Sequence, residues 1–123
     1  MIISQKALDE CVTHCQEMRV VAIDTEFVWE RTFYPNLGLI QLATSEKCFL
    51  VDPLEFEDLS SLGTLLADPN VVIIFHDALQ DLQILEIATH TLPCNIFDTK
   101  AASGFAGISG TISLAKLLVS CQK

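Results

Sequence analysis

The spacing of apolar residues changes along the chain, and each change predicts a different element. Leu8, Cys11, Val12, Cys15 and Met18 recur at three- and four-residue intervals, the mark of one helix face. Ser4 stands where an N-terminal cap is needed, so a first helix is expected from there to about Glu17. Val20 to Phe27 is an apolar, β-branched run that reads as a strand, followed by an aromatic, Pro-containing loop from Trp29 to Asn36. Gly38 to Ala43 and Lys47 to Asp52 read as two more strands, the latter stopped by Pro53. Their short links favour an antiparallel meander.

The rhythm then alternates. Leu59, Leu62, Leu65 and Leu66 mark a helix that Asp68-Pro69-Asn70 ends, and Val71 to Phe75 reads as a strand buried on both faces, as in a parallel sheet. Ala78 to Thr89 is predicted helical and Asn95 to Phe97 a short strand. Two helical pieces follow, the last carrying Leu114, Leu117 and Leu118. Three antiparallel strands followed by β-α-β crossovers predict a mixed α/β sheet in a single domain, 1–123.

Composition narrows the class. Half of the 123 residues are hydrophobic and 19% are charged, which argues for a folded domain. The longest uninterrupted apolar run, Val71 to Phe75, is too short to span a bilayer, and the first residues begin no secretory signal, so a cytoplasmic protein is expected. Five scattered cysteines without a CxxC pair fit reduced thiols. Cys11, His14 and Cys15 have donor chemistry for a soft metal, but two of them lie on the apolar stripe, and core packing is the expected role. A formal net charge of −9 counts against a large basic surface for nucleic acid, so any such substrate must be held locally, through metal ions and a few side chains, or with positive charge borrowed from elsewhere.

The candidate chemistry lies at the end of the first strand. Asp24 and Glu26 are two residues apart and therefore share a face. Two carboxylates held together are unfavourable unless a cation lies between them or one takes up a proton, and Mg²⁺ or Mn²⁺ suits such hard oxygen donors. By itself such a pair is more often a solvated strand end than a metal site. Asp81, one helical turn beyond Phe75, can look back over the sheet end as a third ligand or sit in solvent, while Asp77 is the better placed helix cap.

At this point a family resemblance emerges. Val21-Ala22-Ile23-Asp24-Thr25-Glu26-Phe27, Thr32-Phe33-Tyr34-Pro35-Asn36-Leu37-Gly38-Leu39-Ile40-Gln41-Leu42, Val51-Asp52-Pro53, His76-Asp77-Ala78-Leu79-Gln80-Asp81-Leu82 and Phe97-Asp98-Thr99 resemble, in order, the ribonuclease D group of DEDD 3′-5′ exonucleases. The resemblance implies a ribonuclease H-like fold and two-metal-ion hydrolysis of RNA 3′ ends such as those of tRNA precursors. It implies Asp24 and Glu26 as the first exonuclease motif and Asp81 as the second. Asp24 would bridge two Mg²⁺ or Mn²⁺ ions, Glu26 would bind the nucleophile-side ion and the terminal nucleotide, and Asp81 would hold the second ion. Cations are required because a phosphodiester is already anionic when attacked. Thr25, Phe27 and His76 resemble positions lining the terminal nucleotide pocket. Asp98 is expected to support the sheet end or cap the next helix, and Gln41 to be a buried strand residue.

The third motif of that family, Tyr-x-x-x-Asp, is absent: the only tyrosine, Tyr34, has Gly38 four residues on. His76 and Asp81 have the His-x-x-x-x-Asp spacing of a sister group, but the local sequence of Asp81 fits the second motif. The expectation is therefore a truncated exonuclease domain with activity reduced by orders of magnitude, and apolar sheet surface that favours self-association. The alternative is a catalytically dead nucleic-acid or protein interaction module that keeps the fold. A phosphatase using Asp24 as nucleophile fits poorly, because such an enzyme would normally carry Asp where Glu26 stands.

Overall fold

The computed structural model describes residues 1–28, 36–105 and 107. Helix α1 spans Gln5–Met18, with the Ser4 hydroxyl accepting a hydrogen bond from the Ala7 amide. Its buried stripe is Leu8, Cys11, Val12 and Cys15, so the cysteines pack in the core. Arg19 ends the helix in the left-handed region at φ 64°, and its N–H returns to the Cys15 carbonyl. The chain thereby passes into strand β1, Val20–Val28, without a linker.

Strands β2 (Asn36–Ala43) and β3 (Cys48–Val51) continue the meander, and a single 3-10 turn, Pro53–Glu55, follows. Helix α2 (Ser60–Ala67), strand β4 (Val72–Phe75), helix α3 (Ala78–Thr89), strand β5 (Ile96–Asp98) and helix α4 (Thr99–Phe105) complete the described chain. Asn36, expected to end the loop that starts at Trp29, instead opens β2; the rest of that loop is residues 29–35, and the last expected helix carries Leu114, Leu117 and Leu118. Both lie outside the described residues.

The sheet order is β3-β2-β1-β4-β5, with β1 central. β1 pairs antiparallel with β2 and parallel with β4, which pairs parallel with β5, as the mixed α/β reading requires. One face, carrying Val21, Ile23, Ile40, Leu42, Ile73 and Phe75, joins α1 and α2 in a single core. Gly63 lets α2 approach the segment after α3 closely: a Cβ there would stand 2.8 Å from the Thr91 hydroxyl.

Two expectations need correction. β4 is sealed on one face only: Ile73 and Phe75 are buried, while Val72 and Ile74 on the other face are half-buried. The run is apolar throughout because its second face borders an apolar groove, which Ile74 lines. The last described strand is displaced by one residue from the expected Asn95 to Phe97, which puts Asp98 inside it. Among the described residues no helix is long and apolar enough to cross a membrane.

Candidate active site

The site is built where β1 outruns its parallel neighbour. β4 pairs with β1 only as far as Ala22, so the next part of β1 has strand β2 on one side alone. Asp24 lies opposite Gln41 and Glu26 opposite Leu39, both acidic residues exposed on the face that α1 and α2 do not cover. Between them Thr25 points to the core side and is buried.

A carboxylate takes over where β4 leaves. Oδ1 of Asp81, in the first turn of α3, accepts hydrogen bonds from the Thr25 amide at 3.2 Å and from the Thr25 hydroxyl. Asp81 is 6% exposed, so the solvated alternative for this residue does not hold. Burial pushes its carboxyl above the usual range; the Thr25 hydroxyl works against that, and the negative charges of Asp24 and Asp77 add to it. Asp81 thus lies close enough to Asp24 to feel its charge. Repulsion between two carboxylates is relieved by a cation, and all the donors are hard oxygens, the set preferred by Mg²⁺ and Mn²⁺. The donor chemistry fits a divalent ion. There is no preassembled cage: among the described residues no three His, Cys, Asp or Glu side chains are gathered closely enough to hold one.

His76 lies just beyond β4, with Nδ1 2.8 Å from the Thr99 hydroxyl. The same hydroxyl lies 3.2 Å from the Phe75 carbonyl, to which it can donate. His76 borders an apolar groove of about 440 Å³ across the open sheet face, which Asp24, Ala22, Gln41, Leu50 and Ile74 also line. Gln41 is half-buried there. Phe27 is set on β1 by its backbone pairing with Leu37, and its side chain lies outside the described residues. The structure thus places Thr25 against Asp81 and His76 beside the groove.

Asp77 corrects one expectation. It occupies the N-cap position of α3 in the left-handed region at φ 61°, but its side chain makes no capping bond and pairs with Lys100 Nζ at 3.0 Å instead. The cap comes from Asp98 on β5, whose carboxylate accepts from the amides of Asp77 and Ala78 and also from those of Lys100 and Ala101 in α4. Asp98 therefore caps the next helix, as read from the sequence, and α3 as well. Sequence reasoning missed this second role. The only signal for it was an acidic residue following a short predicted strand.

A family model described as 3′-5′ exonuclease matches residues 1–121. Ribonuclease D of Desulfotalea psychrophila is 53% identical over 119 residues, which are 96% of this chain and 32% of that protein. The crystal structure of Escherichia coli RNase D, described as an exoribonuclease involved in structured RNA processing, superposes with a TM-score of 0.89 at 36% identity. That match covers 94% of this chain and 31% of the solved one. A Trypanosoma brucei RNase D solved in complex with RNA U12 has a TM-score of 0.68 at 24% identity over 80% of this chain and 36% of its own, a likeness of fold. The chain spans about a third of the length of the ribonuclease D proteins it matches. With its mixed ribonuclease H-like sheet and near-complete coverage by the family model, the chain belongs to the 3′-5′ exonuclease family.

Proposed function

We propose that this chain is the part of a ribonuclease D-type 3′-5′ exoribonuclease domain that presents the carboxylates for metal-dependent hydrolysis of RNA 3′ ends, in the cytoplasm. The observation that carries this reading is the reach of Asp81 from α3 to Thr25, between Asp24 and Glu26 on β1. Acids from two separate elements converge there on the end of one strand.

Asp24, Glu26 and Asp81 would hold Mg²⁺ or Mn²⁺, which when bound supplies charge neutralisation at the phosphodiester and lowers the pKa of a nearby water. The residues' own work is positional. Asp24 and Glu26 present their carboxylates on the open face, and Thr25 orients Asp81 by donating to it twice. His76, held by its hydrogen bond with Thr99, offers a flat ring beside the groove on which a base can stack whatever its identity. Phe27 and Thr25 would complete the pocket for the terminal nucleotide. The substrate class is single-stranded RNA 3′ ends, including those of tRNA precursors, and the net charge of −9 makes ion-mediated contact the main hold on phosphate. Half-exposed Val20, Leu50 and Phe97 support self-association of the isolated chain.

The test is Mg²⁺-dependent release of mononucleotides from single-stranded RNA. Release is expected at a low rate from this chain, and Asp24→Ala is expected to reduce it by about a thousandfold, roughly 4 kcal/mol of transition-state stabilisation. No release at any protein concentration overturns the enzymatic reading for this chain. A second reading, an interaction module that keeps the fold without activity, is favoured by the lack of a gathered trio of metal donors among the described residues. RNA binding without release, unchanged in Asp24→Ala, would support it.

A further inference from the structure

We propose that Asp98 is a positioning residue for Asp81: from the end of β5 it fixes the first turn of α3 and so sets where the Asp81 carboxylate stands beside β1. This rests on the reading above, that Asp24, Glu26 and Asp81 hold a divalent ion.

The start of α3 has no side-chain cap of its own, because Asp77 turns its carboxylate to Lys100. Asp98 supplies the cap from another strand. Its Oδ1 accepts from the Asp77 amide at 3.0 Å and its Oδ2 from the Ala78 amide at 2.9 Å. The same Oδ1 accepts from Lys100 at 2.9 Å and Ala101 at 3.4 Å, tying the start of α3 to the start of α4. Burial pushes the Asp98 carboxyl up, but these four amides more than offset it and hold it below the usual carboxylate range. An anion therefore stands at the α3 N-terminus throughout the neutral range, where the helix dipole favours it.

Asp81 lies one turn into the helix that Asp98 holds. An α-helix rises about 1.5 Å and turns about 100° per residue, so a slip of one residue would carry the Asp81 carboxylate by more than that rise. Functional constellations tolerate about 0.5 Å. Thr25 steadies Asp81 directly, from β1, and Asp98 steadies it through the backbone of α3. The strained φ of Asp77 is held in place by the same network, through its amide to Asp98 and its carboxylate to Lys100.

The test compares wild type, Asp98→Ala, Asp98→Asn, Asp24→Ala and Val12→Ala in the full chain. Mn²⁺ affinity is read from the free-ion EPR signal, and the Thr25 amide from NMR hydrogen exchange. Asp98→Ala is expected to weaken Mn²⁺ binding by about tenfold or more, as loss of an outer-shell partner does, and to speed Thr25 exchange. Asp98→Asn, which keeps one acceptor oxygen, is expected to lie between it and wild type. Should Asp98→Ala fail to fold, Asp98→Asn carries the comparison. Val12→Ala, on the buried face of α1, should lower the melting temperature and leave Mn²⁺ affinity unchanged, which separates positioning from general loss of stability. If Asp98→Ala only melts earlier, with Mn²⁺ affinity and Thr25 protection intact while Asp24→Ala abolishes binding, the positioning role is overturned and the ion site stands. If Asp24→Ala binds Mn²⁺ as wild type does, or wild type binds none, the ion site falls and this inference with it.

Discussion

Val21 and Ile23 on one face of β1 are buried in the core with α1 and α2, whereas on the other Ala22 and Asp24 line an apolar groove and Glu26 is exposed. The contrast lies within a single strand and follows from its two-residue period. The covered face holds nothing polar in β1 except Thr25, and that residue is occupied by a carboxylate from α3. Stability and chemistry are thus assigned to opposite sides of the same backbone, with Thr25 and Asp81 as the link through which a disturbance on one side reaches the other.

The largest expected effect tests the covered face alone. Leu66 is fully buried in α2, and Leu66→Ala should cost about 3 kcal/mol by chemical denaturation through lost burial and the cavity left behind. Its response to Mn²⁺ should remain that of wild type; loss of that response would mean that the two faces are not separable.

Asp24→Ala probes the open face. At a hundred times its dissociation constant, Mn²⁺ should stabilise the wild type by about 2.7 kcal/mol, seen as a rise in melting temperature. The variant should lose that rise while keeping its ion-free stability. A wild type whose melting temperature ignores Mn²⁺ would leave the carboxylates without an ion to relieve them.

The smallest effect falls on the link. Asp81 has a folded-state pKa raised by burial and by neighbouring charge, above an unfolded value of about 3.9. Its contribution to stability is therefore complete below the unfolded pKa and is lost as pH rises through the folded one. Asp81→Asn, which keeps an acceptor for Thr25 and removes the charge, should match the wild type near pH 3.5 in chelator. Above the folded pKa it should melt higher, and it should gain nothing from Mn²⁺. A variant that melts lower than wild type at neutral pH would show that the charged Thr25 contacts outweigh desolvation.

What could be read from the chain and what could not divide by distance along it. The Ser4 cap, the stripe of α1 and the span Ala78–Thr89 all depend on residues a few positions apart, and the structure reproduces them. The Asp-x-Glu spacing fixed a common face for the same reason. Thr25 and Asp81 are 56 residues apart, and Asp98 lies 20 and 21 from the amides it caps in α3, so no local pattern announces either contact. Asp77 occupied the right position for a cap, but its backbone entered the left-handed region and Lys100 claimed its side chain. The half-open second face of β4 was illegible because an apolar run records only what a strand can tolerate. It does not record what packs on it.

Ile2 forms a parallel bridge to Val51, donating to the Leu50 carbonyl at 2.6 Å and accepting from the Asp52 amide at 3.2 Å. It therefore occupies the C-terminal end of the outer edge of β3, where backbone donors and acceptors would otherwise face any passing strand. A protease that trims three residues here, or a tag whose linker pulls them away, would leave the core intact and the molecule sticky. Such a preparation would look folded by circular dichroism and yet cloud on storage.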